Sequence, residues 1–518
     1  MPLNDIRRKR VVVSSRRLND TGDIADEDTV VDDTVVDEFD VIDDSISIRD
    51  FAPTPTGADL VYEAKALVIR RAIREMGMGW YQYQLFLVVA FGWIVDNMWP
   101  VVTSLILQPV AIEYRASHPE LLSLAQNIGL FVGAVFWSSA SDIAGRKQIF
   151  NIPFMLVPAF AVPAVLGKGY ATTVAMVALW SFGVGGNFAI ESALFLEFLP
   201  PNRRWLLTSL SMIWALTQLY VNMVGWHFIR KFSCLEREGC VREDNWGWRY
   251  VVMVTGGPMF LMWMMRTMVF TVHESPTYLV GVGLDWKAVE IIHAIAKRNN
   301  TPTRLTLRDL QACEPAGYVY HYPRAPSIVN SRLLTISVYR VRELFATGRS
   351  PGLIIAVWAL IGLAYPLYNG FLPYIQATRG VEFGDGSLKV TYRGALAAAS
   401  LGIPAAVATG YLVHRPRPGG CKGTLALWTV VTGLMLFGST TATTSKALVG
   451  WNCGFSFAGT IMYGVLYSYT SDLFTAKQFG TGSALTALSN RLFGIGAPII
   501  AIYANLETVW PVYDARNR

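Results

Sequence analysis

Apolar residues in this chain come in long runs separated by short polar stretches. From about residue 84 to near the C-terminus eleven such runs follow one another: 84–110, 121–140, 148–167, 171–195, 205–229, 250–272, 352–376, 391–413, 424–440, 446–470 and 480–505. Crossing about 30 Å of hydrocarbon takes about 20 helical residues at about 1.5 Å each, which is the scale of these runs. The pattern predicts an all-α protein that crosses the bilayer many times.

Composition agrees. Of 518 residues 52% are hydrophobic and 16% charged, too apolar a balance for ordinary soluble domains. The first fifty residues are polar and charged, unlike a cleavable leader, so the first span is expected to act as the insertion signal. The net charge of +6 hides two opposed regions. Residues 1–60 carry fifteen Asp and Glu against seven Lys and Arg, and 1–78 read as a disordered acidic cytosolic tail, either merely solvated or regulatory. A hydrophilic stretch over 274–350, rich in Arg and Lys, separates a six-helix bundle over 79–273 from about five spans over 351–518. Val289, Ile292 and Ile295 within it have helical spacing, which predicts short cytosolic helices there. A basic helix beside a membrane points to anionic lipid heads, not nucleic acid.

Basic residues fall in alternate loops, at Arg146 and Lys147, at Arg203 and Arg204, at Arg415, Arg417 and Lys422, and at Lys477. Positive-inside bias makes those loops, and the N-terminus, cytosolic. Cys234 and Cys240 then share a loop on the opposite side, where a disulfide can persist, while Cys313, Cys421 and Cys453 lack metal-ligand spacing and read as structural.

After the second span stands "SSASDIAGRK", 138–147, which resembles the major facilitator signature G-x-x-x-D-x-x-G-R-[KR]. Asp142, Gly145, Arg146 and Lys147 match and Ser138 replaces the leading Gly; a second copy near 410–422 is degraded, with His414 where the acid would stand. "EFLPPNRR" from Glu197, with Arg203, and "HESPTYL" from His273, with Glu274, resemble cytosolic elements of sugar porters and organic-ion transporters. "FGWIVDNMWP", "GVGGNFAIESALFLEFLP", "NWGWRY" and "ALSNRLFGIGAPIIA" look like the synaptic-vesicle-protein-related branch, and the likeness runs from about residue 65 to 512. The resemblance implies two pseudo-repeated helical bundles around a central cavity. It also implies that Asp142, Gly145, Arg146, Lys147, Glu197, Arg203 and Glu274 form a conformational latch, not a substrate site.

Charged groups in hydrocarbon are costly and normally face a cavity or a partner. Asp96 lies about twelve residues, or about 18 Å, into its span, and Arg491 reaches a similar depth, where transporters bind their solutes. Asp96 reads either as a titrating carboxylate or as a fixed partner, and Arg491 either as a clamp for an anion or as the counter-ion of Asp96. Glu191, nearer the cytosolic face, is a candidate gate or proton relay; Arg266 is expected to snorkel to the lipid heads. Asn97, Asn187, Gln218, Asn222, Tyr365, Asn369, Asn452 and Tyr467 could complete a cavity lined by both halves, or could tie helices together.

No G-x-x-x-x-G-K-[ST] phosphate loop is present, so transport would run on a gradient instead of ATP. The glycines at 183, 185 and 186 sit in an apolar run and read as close helix packing, and the six His suggest no metal centre. The chain therefore reads as a monomeric, multi-pass transporter, not an enzyme, without cofactor or metal, in the plasma membrane or an internal vesicle or vacuole membrane. Its expected partners are a small-molecule solute, protons and the lipid bilayer. The expected solute is an organic anion moved with protons by alternating access; the alternatives are a sugar transporter or a non-transporting receptor or scaffold. Beyond Ala504 the chain looks too short and polar for another crossing, so the twelfth span of the family pattern is expected to be lacking.

Overall fold

A helix satisfies its own backbone, which is what a lipid environment demands of a spanning segment, and the apolar runs do become helices. The computed structural model describes residues 17–18, 24–25, 57–200, 203, 206, 209–234, 240–270, 272–314, 341–342, 344–345, 349–376, 388–414, 420–474 and 479–503. The chain divides into two units, Met1–Leu60 and Val61–Arg518. In the first, β1 (Arg17–Leu18) and β2 (Ile24–Ala25) pair antiparallel, Arg17 opposite Ala25.

The second unit opens with α1 (Gly57–Met76), from Val61 on, and continues with six long helices. These are α2 (Trp80–Glu113), α3 (Glu120–Ala144), α4 (Arg146–Leu166), α5 (Tyr170–Phe198), α6 (Ser211–Phe232) and α7 (Gly247–Met268). Three short helices follow, α8 (Pro276–Gly281), α9 (Asp285–Asn299) and α10 (Leu307–Gln311). The rest is α11 (Ser350–Asn369), α12 (Leu388–Ser400), α13 (Gly402–His414), α14 (Gly420–Ser439), α15 (Ser445–Leu473) and α16 (Phe479–Tyr503). Each expected span coincides with one of these, except that 391–413 is shared by α12 and α13, which break at Leu401. Among the described residues eight stretches are long and apolar enough to cross a membrane. The protein is nearly all helical and membrane-embedded. The expected absence of a twelfth span falls on 504–518, outside the described residues.

One expectation is corrected. The tail was expected to run to residue 78, yet 57–76 forms α1, because Ile69, Ala72, Ile73 and Met76 repeat at helical spacing and are buried while Arg70, Arg71, Arg74 and Glu75 face outward. Lys65 on the same helix is 1% exposed and reaches Asp285 at 2.5 Å and Glu314 at 2.6 Å, tying α1 to the segment between the bundles. Burial opposes the charge of that ammonium, but the hydrogen bonds and charges of Asp285 and Glu314 outweigh it and hold its pKa above the usual lysine value.

Glycines set the closest helix contacts. A Cβ at Gly185 would lie 2.2 Å from the Leu130 carbonyl oxygen, and one at Gly362 would lie 2.3 Å from the Asn490 carbonyl oxygen, so α5 packs on α3 and α11 on α16 backbone to backbone. Contacts between the halves include the Ser104 hydroxyl donating to the Asn369 carbonyl at 3.0 Å and the Tyr392 hydroxyl donating to the Leu105 carbonyl at 2.9 Å. These lie toward the end of the bundle that carries the cysteine loop.

Candidate functional site

Asp96 sits in the middle of α2 and Arg491 in the middle of α16, so a contact between them joins the first bundle to the last helix. Arg491 Nη2 donates to Asp96 Oδ1 at 2.6 Å, with side-chain exposures of 18% and 13%. The pair is thus mostly enclosed but not sealed. Beside it, Asn97 buries an Oδ1 that has no hydrogen-bond partner.

Aromatic rings close the side toward the basic loops. Trp93, about one turn before Asn97, stacks on Trp214 of α6 with centroids 4.9 Å apart; Trp214 meets the edge of Tyr467 of α15 at 5.0 Å, and Tyr467 meets Trp358 of α11 at 4.7 Å. Tyr365 lies near Gln218 across the halves and edge-on to Tyr463 at 5.0 Å. Tyr467 is within electrostatic range of both Asp96 and Arg491. The structure therefore brings Asp96, Asn97, Gln218, Tyr365, Tyr467 and Arg491 into one neighbourhood. Trp214 and Tyr463 join them; neither stood out in the sequence, because one more aromatic in an apolar run carries no signal of its own.

Two amides belong elsewhere and a third bonds within its own helix. Asn222 donates to the Gln218 carbonyl on its own helix at 2.8 Å. The Asn369 backbone carbonyl accepts from Ser104, eight residues or about 12 Å along α2 from Asp96, while its side-chain Nδ2 is buried without a hydrogen-bond partner; Asn452 Oδ1 accepts from the Tyr368 hydroxyl. Asn369 and Asn452 tie helices nearer the cysteine-loop end.

A second charge pair lies deeper. Arg266 is not a snorkelling residue: it is fully buried, donating Nη1 to Glu191 Oε1 at 2.7 Å and Nη2 to the Phe150 carbonyl at 2.8 Å, with its guanidinium 3.3 Å from the centre of the Phe150 ring. Its depth follows from having an acid to meet, since an unpaired cation would be driven to water. Glu191 lies against Gly92 of α2, where a Cβ would fall 1.6 Å from Oε2. Asn187, one turn earlier on α5, is 1% exposed with an unpartnered Nδ2.

At the basic-loop end Glu274 closes the N-terminus of α4. Its Oε1 accepts from the Arg146 backbone N–H at 2.8 Å and its two oxygens from Lys147 N–H at 3.2 Å, which suits a carboxylate at a helix start. Gly145 has φ +93°, and Arg146 pairs with Glu197, which also accepts from the Ser275 hydroxyl. Arg203 is exposed and takes no part in this network among the described residues. The side chains of Asp142 and His414 and the residues Arg204, Arg415, Arg417 and Lys477 lie outside the described residues.

At the other end Cys234 and Cys240 form a disulfide. Arg249 holds Glu113 with two parallel bonds of 2.8 and 2.6 Å, while Trp248 Nε1 and Asn245 Nδ2 donate to the same carboxylate at 2.8 and 3.1 Å. This clamp is what the "NWGWRY" string builds. Among the described residues no group of three or more His, Cys, Asp or Glu could hold a metal ion.

The family described as Major Facilitator Superfamily matches residues 84–498. The "MFS siderochrome iron transporter 1" of Ceriporiopsis subvermispora is 45% identical over 460 residues, 88% of each chain. The "Niacin transporter NiaP" of Acinetobacter baylyi is 22% identical over 438 residues, covering 83% of this chain and 89% of its own. The solved structure of the xylose transporter XylE from E. coli in a partially occluded inward open conformation superposes with a TM-score of 0.59 over 84% of this chain and 97% of that one, at 15% identity.

Proposed function

The chain belongs to the Major Facilitator Superfamily and is a secondary transporter of small solutes, not an enzyme, and from that premise we propose that its solute is an organic anion carried with a proton. The observation that carries this reading is the Asp96–Arg491 pair, 2.6 Å apart and partly exposed, made by one helix from each half.

The coupling is an exchange of partners. While Asp96 is ionised it occupies Arg491, and the planar guanidinium is satisfied. A proton on Asp96 removes that charge and leaves Arg491 without a counter-ion in a poorly solvated place. A solute carboxylate entering from the same side restores the balance by bidentate pairing with Arg491. One proton and one anion together keep the net charge of the cavity unchanged, so the loaded and empty forms both close without burying an unpaired charge. Rocking of the halves then exposes the load to the other side. Trp214 and Tyr467, both half-buried, offer ring surface to a flat solute, and the niacin transporter among the relatives is named for such an anion. The basic-loop end, with its Glu274 and Glu197 contacts, is taken to face the cytosol and to act as the latch.

Uptake by the reconstituted monomer tests the reading. Labelled small carboxylates and labelled hexoses are compared in wild type and Arg491→Ala. Carboxylate uptake that Arg491→Ala abolishes is the expected result; hexose uptake, or carboxylate uptake indifferent to Arg491, overturns the anion assignment.

A further inference from the structure

Lys65 has no part in the transport path, yet it sits at the centre of the buried face of α1. Val61, Lys65, Ile69, Ile73 and Met76 form one stripe at helical spacing, and each is 5% exposed or less. An apolar stripe alone would let α1 settle on many surfaces; an ammonium within it restricts the helix to a place where acids wait. That place is the start of α9. Asp285, the first residue of α9, and Glu314, three residues beyond α10, both accept from Lys65 Nζ. Asp285 Oδ1 is buried without a hydrogen-bond partner, which leaves Lys65 as the donor that answers this carboxylate.

The start of α9 is also where the latch is mounted. Four residues separate Asp285 from the end of α8, and the turn between them is tight, with Gly283 at φ +78° and the Leu284 N–H donating to the Leu279 carbonyl at 2.8 Å. At its other end α8 is capped by the Ser275 hydroxyl, which accepts from the Tyr278 N–H at 2.9 Å and donates to Glu197. Glu274, next in the chain, holds the first amides of α4. Helix α1 lies against this same piece: Tyr62 is 3.4 Å from where a Cβ on Gly281 would stand, and Ile69 and Ile73 share an apolar cluster with Val280 of α8 and Ile292 of α9. The far end of α9 is fixed separately, Asn299 accepting from the Tyr81 N–H at 2.9 Å and donating to Gln82 at 2.8 Å. Helix α9 is therefore pinned to α2 at its end and to α1 at its start.

We infer that Lys65 is a positioning residue for the latch: by holding Asp285 and Glu314 it sets α8 and α9 so that Glu274 stands at the start of α4. It touches neither solute nor proton and acts only through α8 and α9. The role rests on the reading of Glu274 and Glu197 as the latch.

Hydrogen–deuterium exchange of the full detergent-solubilised chain tests it, because the Arg146 and Lys147 amides that Glu274 holds are far from Lys65 in sequence. In Lys65→Met those amides are expected to exchange about tenfold faster, in Lys65→Arg as in wild type, and the helix ends around Glu113 and Arg249 are expected to stay unchanged in both. Initial uptake rates of whichever solute the transport assay accepts, carboxylate or hexose, should show for Lys65→Met a kcat about 3- to 10-fold lower at an unchanged KM. Faster exchange confined to α1 and α9, or spread evenly over the whole chain, overturns the inference. Glu274→Gln separates the two readings: if it frees the α4 amides and leaves kcat unchanged, the latch reading falls, while the hold of Lys65 on the α4 start stands on the exchange data. Should Lys65→Met fail to fold with two acids left unanswered, the triple variant Lys65→Met, Asp285→Asn, Glu314→Gln removes all three charges and is read in the same way.

Discussion

Arg249 and Glu113 are joined by two parallel charge-assisted hydrogen bonds, 2.8 and 2.6 Å long, with both side chains under 5% exposed. The guanidinium also donates to the carbonyls of Val165 and Asn245, so the ends of α2 and α4 and the start of α7 meet at one hydrogen-bonded cluster. Removing one member leaves the other as a buried, unpaired charge. Glu113→Ala or Arg249→Ala is expected to cost about 3–5 kcal/mol, read as a large drop in the thermal midpoint of the detergent-solubilised protein. A midpoint within a degree or so of wild type contradicts this.

Gly145 stands at φ +93° and ψ +152°, a region open almost only to glycine, and a Cβ there would come within 2.6 Å of Glu274 Oε2. Gly145→Ala therefore strains the backbone and displaces the carboxylate that caps α4. The expected loss is about 1–3 kcal/mol of stability, with slower turnover of any transported solute, measured by thermal unfolding and initial uptake rates.

His273 titrates below the usual imidazole value because it is half-buried and lies near the cations Lys147 and Arg298. A group whose pKa falls on folding binds more protons when unfolded, so it stabilises the fold above its ordinary value of 6.5 and loses that contribution as pH falls toward the lower folded value. Thermal midpoints of wild type should fall more steeply below that pH than those of His273→Gln. Parallel curves contradict the assignment.

Trp214 touches Trp93 of its own half and Tyr467 of the other. Trp214→Ala removes both ring contacts, each worth about 0.5–1.5 kcal/mol, and is expected to raise the KM for solute about 3- to 10-fold. Saturation curves for uptake decide it; an unchanged KM means the rings only pack.

The helices and the mid-helix positions of Asp96 and Arg491 were legible because length and hydropathy are local properties. Their contact was not, since both a clamp and a counter-ion fit the sequence equally well and only the packing of α2 against α16 decides that they touch. Arg266 was misread for the same reason: its distance along the chain from the loop favours snorkelling, whereas its partner Glu191 comes from a helix 75 residues away. α1 was hidden by the charge of the tail that precedes it, although its apolar spacing was there to read. Asn452 looked like a cavity group because an amide that ties helices and one that faces a solute are the same residue type.

The central claim is that Asp96 couples proton and anion movement by surrendering Arg491. Its most direct test is uptake of a labelled carboxylate into proteoliposomes under an imposed pH gradient, comparing wild type with Asp96→Asn. The account predicts that wild type accumulates the solute only with the gradient, while Asp96→Asn exchanges it across the membrane but does not accumulate it. Gradient-driven accumulation by Asp96→Asn equal to that of wild type would contradict the account.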